Sequence, residues 1–196
     1  MTIIVAPHFV DPTHACQQVF RGLLTAMSRP GHAVSVPMPP SPPEPLGGVL
    51  AAAALTLFDL DSPVWLDSEF DREEMRQYLH FHTGAPLVTT PAASSFALIG
   101  APGRMPRFDR FAGGEPAYPD RSTTLLLKVP SLTGGMPVSL YGPGIEYVAP
   151  ASPNGLPEWF WPAWNDNTDS YPLGIDILLA DEHHVLGLPR TTKVNI

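Results

Sequence analysis

The run Ile175-Asp176-Ile177-Leu178-Leu179-Ala180 limits what this chain can fold into more than any other stretch. It is apolar at nearly every position, the pattern of a strand covered on both faces. Asp176 is the exception and must find a partner or reach the surface, because an unpaired buried carboxylate is very costly. Asp181-Glu182-His183-His184 reads as a polar turn, and Val185-Leu186-Gly187-Leu188 as a second strand. Pro189 cannot donate to a ladder, so that strand ends there or lies at a sheet edge.

Upstream, Asp11-Pro12 reads as a helix cap followed by proline at the first helical position. Cys16, Val19, Phe20, Leu23, Leu24 and Met27 then recur at helical spacing as one apolar stripe, and Arg29-Pro30-Gly31 stops the helix. The segment Pro37–Pro45 cannot be helix or central strand; it is an extended loop, either a connector or a ligand for a partner's aromatic groove. Residues 46–60 read as helix, with Ala51–Ala54 allowing close backbone approach. Pro63–Asp67 reads as a short strand. A helix capped by Ser68 is expected to run through Thr83, burying Met75 and Leu79, with Gly84 ending it.

Phe96–Ile99 reads as strand and Pro102–Pro119 as loop, before strands at Thr123–Leu132, Pro137–Tyr141 and the final pair. Helices and strands mix early and strands dominate late. The expectation is an α/β fold, one domain over residues 1–196, with a mixed sheet carrying helices on both faces. Asn154–Asn167 holds three of the four tryptophans and reads as a lid on the core or as an interface anchor.

The formal charge of −8 argues against non-specific nucleic-acid binding, which needs clustered Lys and Arg. No apolar run is long enough to span a membrane. Met1–Val10 lacks the basic flank and long apolar core of a signal peptide. Cys16 is the sole cysteine, so no internal disulfide can form and a reducing cytoplasm is the expected compartment.

Signals for chemistry are sparse. No Walker-type phosphate loop or Gly-x-Ser-x-Gly elbow occurs, and Gly134-Gly135 and Gly142-Pro143-Gly144 read as hairpin turns. His80 and His82 are two apart on a helix and cannot easily share a metal, so no metal site is expected. Arg104, Arg107 and Arg110 repeat at every third position, either solvated beside Asp109 and Glu115 or converging on a triphosphate or an acidic partner surface. Arg21, Arg190, Thr191 and Thr192 are the candidate substrate-binding residues. A strand end with Arg and two hydroxyls can bind an oxyanion, or can pin the last strand to a carboxylate.

Five blocks in register resemble the PhnH subunit family of the bacterial carbon–phosphorus lyase system. They are Phe20-Arg21-Gly22-Leu23-Leu24-Thr25-Ala26-Met27-Ser28-Arg29-Pro30-Gly31, Asp61-Ser62-Pro63-Val64-Trp65-Leu66, Leu79–Val88, Ser131-Leu132-Thr133-Gly134-Gly135 with Leu140–Ile145, and the C-terminal segment. The resemblance implies an α/β fold like that of pyridoxal-phosphate-dependent transferases but without the cofactor site, and so no cofactor. Lys128 and Lys193 are the only lysines, neither in a recognisable Schiff-base context. It further implies partners of the PhnG, PhnI and PhnJ types and a homodimer when isolated. The implied function is an accessory subunit in forming ribose 1-phosphonate 5-triphosphate from ATP and a phosphonate. The alternative is an independent catalytic subunit that binds ATP or phosphonate itself.

Overall fold

The computed structural model describes residues 8–196, so most of the Met1–Val10 stretch lies outside the described residues. In chain order the elements are α1 (Pro12–Ser28), β1 (Val34–Ser35), α2 (Gly48–Leu57), β2 (Val64–Leu66), α3 (Glu73–Thr83), β3 (Leu87–Val88) and β4 (Phe96–Ile99). There follow β5 (Gly113–Glu115), β6 (Tyr118–Ser122), β7 (Thr124–Lys128), β8 (Val138–Tyr141), β9 (Ala149–Ala151), α4 (Phe160–Asp169), β10 (Asp176–Ala180), β11 (His184–Leu188) and β12 (Lys193–Asn195).

Seven strands form the main sheet in the order β1-β11-β10-β7-β4-β2-β3. Strands β10, β7, β4, β2 and β3 run parallel, while β11 and β1 are antiparallel to their neighbours. The sheet is therefore mixed, with both edge strands only two residues long. Alternation decides the faces. Leu98, Leu126 and Leu178 point to a core shared with α1, α2 and α3. Ala97, Ile99, Leu125, Leu127, Ile177 and Leu179 point to a second core under α4 and the small sheet β12-β8-β9. Helices thus cover both faces, as the unbroken apolar pattern of Ile177–Leu179 requires.

Several local expectations hold in detail. Asp11 caps α1 by accepting from the His14 N–H at 3.2 Å, with Pro12 at the first turn. Gly84 ends α3 at φ 68°, the left-handed conformation that glycine adopts without strain. The four alanines Ala51–Ala54 are all buried, so α2 lies close to its neighbours. Of the two readings for the aromatic segment, the structure supports the core lid: Phe160, Trp161 and Trp164 are buried, and the Trp164 indole donates to the Thr192 carbonyl at 2.8 Å.

Other expectations are corrected. Helix α3 begins at Glu73, not after Ser68. The buried Asp67 carboxylate accepts from the N–H groups of Glu69 and Phe70, both at 3.1 Å, and so holds residues 67–70 in a side-chain-closed turn that competes with helix. The stripe on α1 is narrower than its spacing suggests: Val19, Leu23 and Ala26 are buried, whereas Phe20 and Leu24 are 51% and 57% exposed. The strand at 123–132 stops at Lys128, and Pro102–Pro119 contains two 3₁₀ turns and β5 rather than pure loop. The Pro37–Pro45 loop is anchored, with Pro39 and Pro43 buried. No helix among the described residues is long and apolar enough to cross a membrane.

Candidate functional site

Parallel pairing brings the carboxyl ends of β2, β4, β7 and β10 to one edge of the sheet, where Asp67, Gly100, Val129 and Asp181 follow them. In open α/β sheets this edge is where ligand crevices form, because the chain leaves the strands in diverging directions. Two adjoining cavities open here, of about 540 and 370 Å³, sharing Lys128, Val129 and Pro130. The larger lies between the proline-rich loop, the amino end of α2 at Gly47-Gly48 and the turn Asp181–His183. The smaller is floored by the backbone of residues 100–103 and bounded by Glu69 and Gly155.

Two carboxylates build the edge. Asp67 joins the ends of β2 and β4: besides the turn it closes, its Oδ2 accepts from the N–H groups of Gly100 at 3.0 Å and Ala101 at 2.9 Å. Asp181 closes the β10–β11 turn by accepting from the N–H groups of His183 at 2.9 Å and His184 at 2.8 Å, and it reaches Leu132 N at 3.3 Å. Burial pushes the Asp181 carboxyl up. The three backbone donors, with His184 beside it, outweigh that and hold its pKa below the ordinary carboxylate value.

Lys128 is the one lysine in the crevice, and its Nζ donates to the Pro45 carbonyl, tying the proline-rich loop to β7. The amino end of α2 has no side-chain cap. Its N–H dipoles and the Lys128 ammonium can together hold one anionic group. Glu44, Glu69, Asp181 and Glu182 line the same space, so a bare polyphosphate would meet repulsion there.

A third cavity of about 450 Å³ lies on the α4 side, lined by Arg107, Asp109, Asp166, Asn167 and Gly174 among others. Asn167 is fully committed to Ile175, donating to its carbonyl at 3.0 Å and accepting from its N–H at 2.8 Å. The arginine triplet does not act together: Arg107 stacks over Trp159, 4.6 Å from the ring centroid, while Arg104 pairs with Glu69 at 3.4 Å.

The structure gathers three of the four candidate substrate-binding residues and leaves the fourth apart. Arg190 is spent within the fold: Nε donates to Asp176 Oδ1 at 3.1 Å, one terminal nitrogen to Asp176 and Ser122 Oγ, and the other to the carbonyls of Pro119 at 3.0 Å and Pro172 at 3.3 Å. Asp176 thereby finds the partner that its burial demands. Thr191 follows, half-buried, and Thr192 is fully buried, its carbonyl shared by Trp164 and Thr168. The Thr192 hydroxyl is buried without a hydrogen-bond partner. Arg21 is exposed on α1, and none of the four lines the three cavities above. The crevice residues Asp67 and Lys128 escaped sequence reasoning; their one signal is a polar residue placed directly at the end of an apolar strand.

The sequence profile of a family described as bacterial phosphonate metabolism protein (PhnH) matches residues 7–195. The chain belongs to the PhnH family. It is 42% identical over 186 residues to the alpha-D-ribose 1-methylphosphonate 5-triphosphate synthase subunit PhnH of Rhizobium meliloti (strain 1021), covering 95% of this chain and 93% of that one. A second relative, HtxG of Stutzerimonas stutzeri, provisionally named a C-P lyase subunit protein, is 27% identical over 180 residues, or 92% and 86% of the two chains. Because the PhnH match runs nearly end to end, it covers both faces of the sheet and the whole strand-end crevice.

Proposed function

We infer that this PhnH-family chain is an accessory subunit of an assembly that makes a ribose 1-phosphonate 5-triphosphate from ATP and an alkylphosphonate, within carbon–phosphorus lyase catabolism. The observation that carries the reading is the 42% identity, over nearly all of both chains, to a subunit named for that synthase. In the reaction a phosphonate oxygen bonds to ribose C1′, the bond from C1′ to N9 of adenine breaks, and adenine leaves with a proton. The partners in this reading are PhnG-, PhnI- and PhnJ-type subunits in the cytoplasm, and the free chain pairs with itself. The layered mixed sheet is compatible with the transferase-like family fold.

Arg190 supports an accessory role, because its guanidinium is already occupied by Asp176, Ser122 and two carbonyls. Its place with Thr191 and Thr192 would then be to hold the C-terminal strand on α4 rather than to hold substrate. The test is growth of a bacterium lacking its own PhnH on methylphosphonate as sole phosphorus source. This chain, supplied with the other subunits of its own synthase, should restore growth; failure with all subunits folded and present would overturn the reading.

The substrate-binding alternative has one observation in its favour, the Lys128 ammonium beside the uncapped amino end of α2. Calorimetry of the isolated chain against ATP and methylphosphonate decides it. Saturable heat that disappears in Lys128→Ala supports a ligand at the crevice; no heat removes it.

A further inference from the structure

The outer ridge of α1 carries an apolar pair that the fold does not use. Phe20 and Leu24, four residues apart and so neighbours on the helix surface, are 51% and 57% exposed, although they sit in the helix that covers β11. Gln17, Arg21 and Ser28 flank them and are exposed as well. At its C-terminal end the helix meets the loop after β8: a side chain at Gly144 would collide with the Ser28 carbonyl at 2.0 Å. Tyr147 and Val148, further along that loop, are 81% and 50% exposed. Apolar surface exposed as a patch, rather than singly, marks an interaction surface.

Charge indicates what covers it. Between Asp11 and Glu44 the sequence has no carboxylate, in a chain whose net charge is −8. The ridge instead presents Arg21, with Arg29 exposed beyond it; Glu146 is exposed in the β8–β9 loop. Two copies of this chain meeting ridge to ridge about a two-fold axis through its centre would bring Arg21 of each copy together at the middle of the contact, a repulsion that a partner rimmed by carboxylates avoids.

We propose that the α1 ridge, centred on Phe20 and Leu24 with Arg21 beside them, is the docking surface for a different subunit of the synthase, one presenting an apolar patch rimmed by carboxylates. This rests on the reading of the chain as a synthase subunit. The apolar pair supplies the desolvated centre and Arg21 the charged rim that steers the encounter.

The test uses the co-expressed assembly, purified through another subunit, with the chain's stoichiometry read by native mass spectrometry. The double variant Phe20→Glu/Leu24→Glu should melt within a few degrees of wild type when free, since both side chains already face solvent. It should be missing from the assembly, with affinity down more than about a hundredfold. Arg21→Glu should weaken docking about tenfold and flatten its salt dependence. Retention of the folded double variant at wild-type stoichiometry overturns the docking surface and leaves the subunit reading intact. A wild-type free dimer that becomes monomeric in the double variant also overturns it, by assigning the ridge to a second copy. Absence of the wild-type chain from the assembly overturns the subunit reading and this proposal with it.

Discussion

Asp176 and Arg190 face each other across the start of β10 and the end of β11, with Asp176 Oδ1 accepting from both the Arg190 backbone N–H at 2.8 Å and its Nε at 3.1 Å. One carboxylate oxygen thus fixes the backbone and the side chain of the same residue. The pair is mostly shielded, with side chains 20% and 12% exposed.

Removing one member strands the other. Arg190→Ala leaves a shielded carboxylate and three acceptors at Ser122, Pro119 and Pro172 without their donor, so it should cost about 3–5 kcal/mol in urea unfolding. Asp176→Asn should cost less, because its amide oxygen still accepts from the Arg190 backbone. The double variant Asp176→Leu/Arg190→Leu should be more stable than Arg190→Ala.

Gly187 on β11 lies under α1 so closely that an added Cβ would sit 2.5 Å from the Ala26 carbonyl carbon and oxygen and 2.6 Å from Met27 N. These are backbone atoms that cannot swing aside. Gly187→Ala should therefore lift α1 from the sheet and cost about 3 kcal/mol, read as a lower urea midpoint.

Tyr78 is buried in α3, and burial pushes its phenol pKa up to about 12. Its hydroxyl has no hydrogen-bond partner. Tyr78→Phe removes that unsatisfied group and should stabilise the protein by about 1 kcal/mol. The phenol keeps its proton longer folded than unfolded, so wild-type stability should fall as pH rises from the ordinary tyrosine value towards about 12. The variant should lack that part of the alkaline loss, as melting curves across the range would record.

Asp181 behaves in the opposite sense. Its folded pKa is lowered, so the unfolded chain takes up its proton first, and the stability this carboxylate supplies is lost as pH falls below the ordinary carboxylate value. Asp181→Asn should cost about 1 kcal/mol at neutral pH and show a shallower decline in acid.

How much of this was legible in the sequence depends on the range of the forces involved. The Asp11 cap, the Gly84 stop and the strands 96–99 and 176–180 follow from interactions within a few residues, and each was readable. Strand β12 was not, because it is three residues long and its one buried side chain, Val194, gives no period to detect. Nor was the exposure of Phe20 and Leu24, since helical spacing records which residues share a stripe and not how wide a stripe the sheet covers. The need of Asp176 for a partner could be stated from sequence, and Arg190 could be singled out. Their pairing could not, because it depends on the register of β10 against β11. The strand-end crevice was hidden for the same reason: Asp67, Gly100, Lys128 and Asp181 meet only once strand order is known.

The two-residue strands at both margins of the main sheet have a consequence for assembly. Val34–Ser35 and Leu87–Val88 offer too few free main-chain donors and acceptors to template an incoming strand. Chains at high concentration are thereby kept from zipping together through the main sheet, and anything that joins the protein along its margins has to recognise side chains.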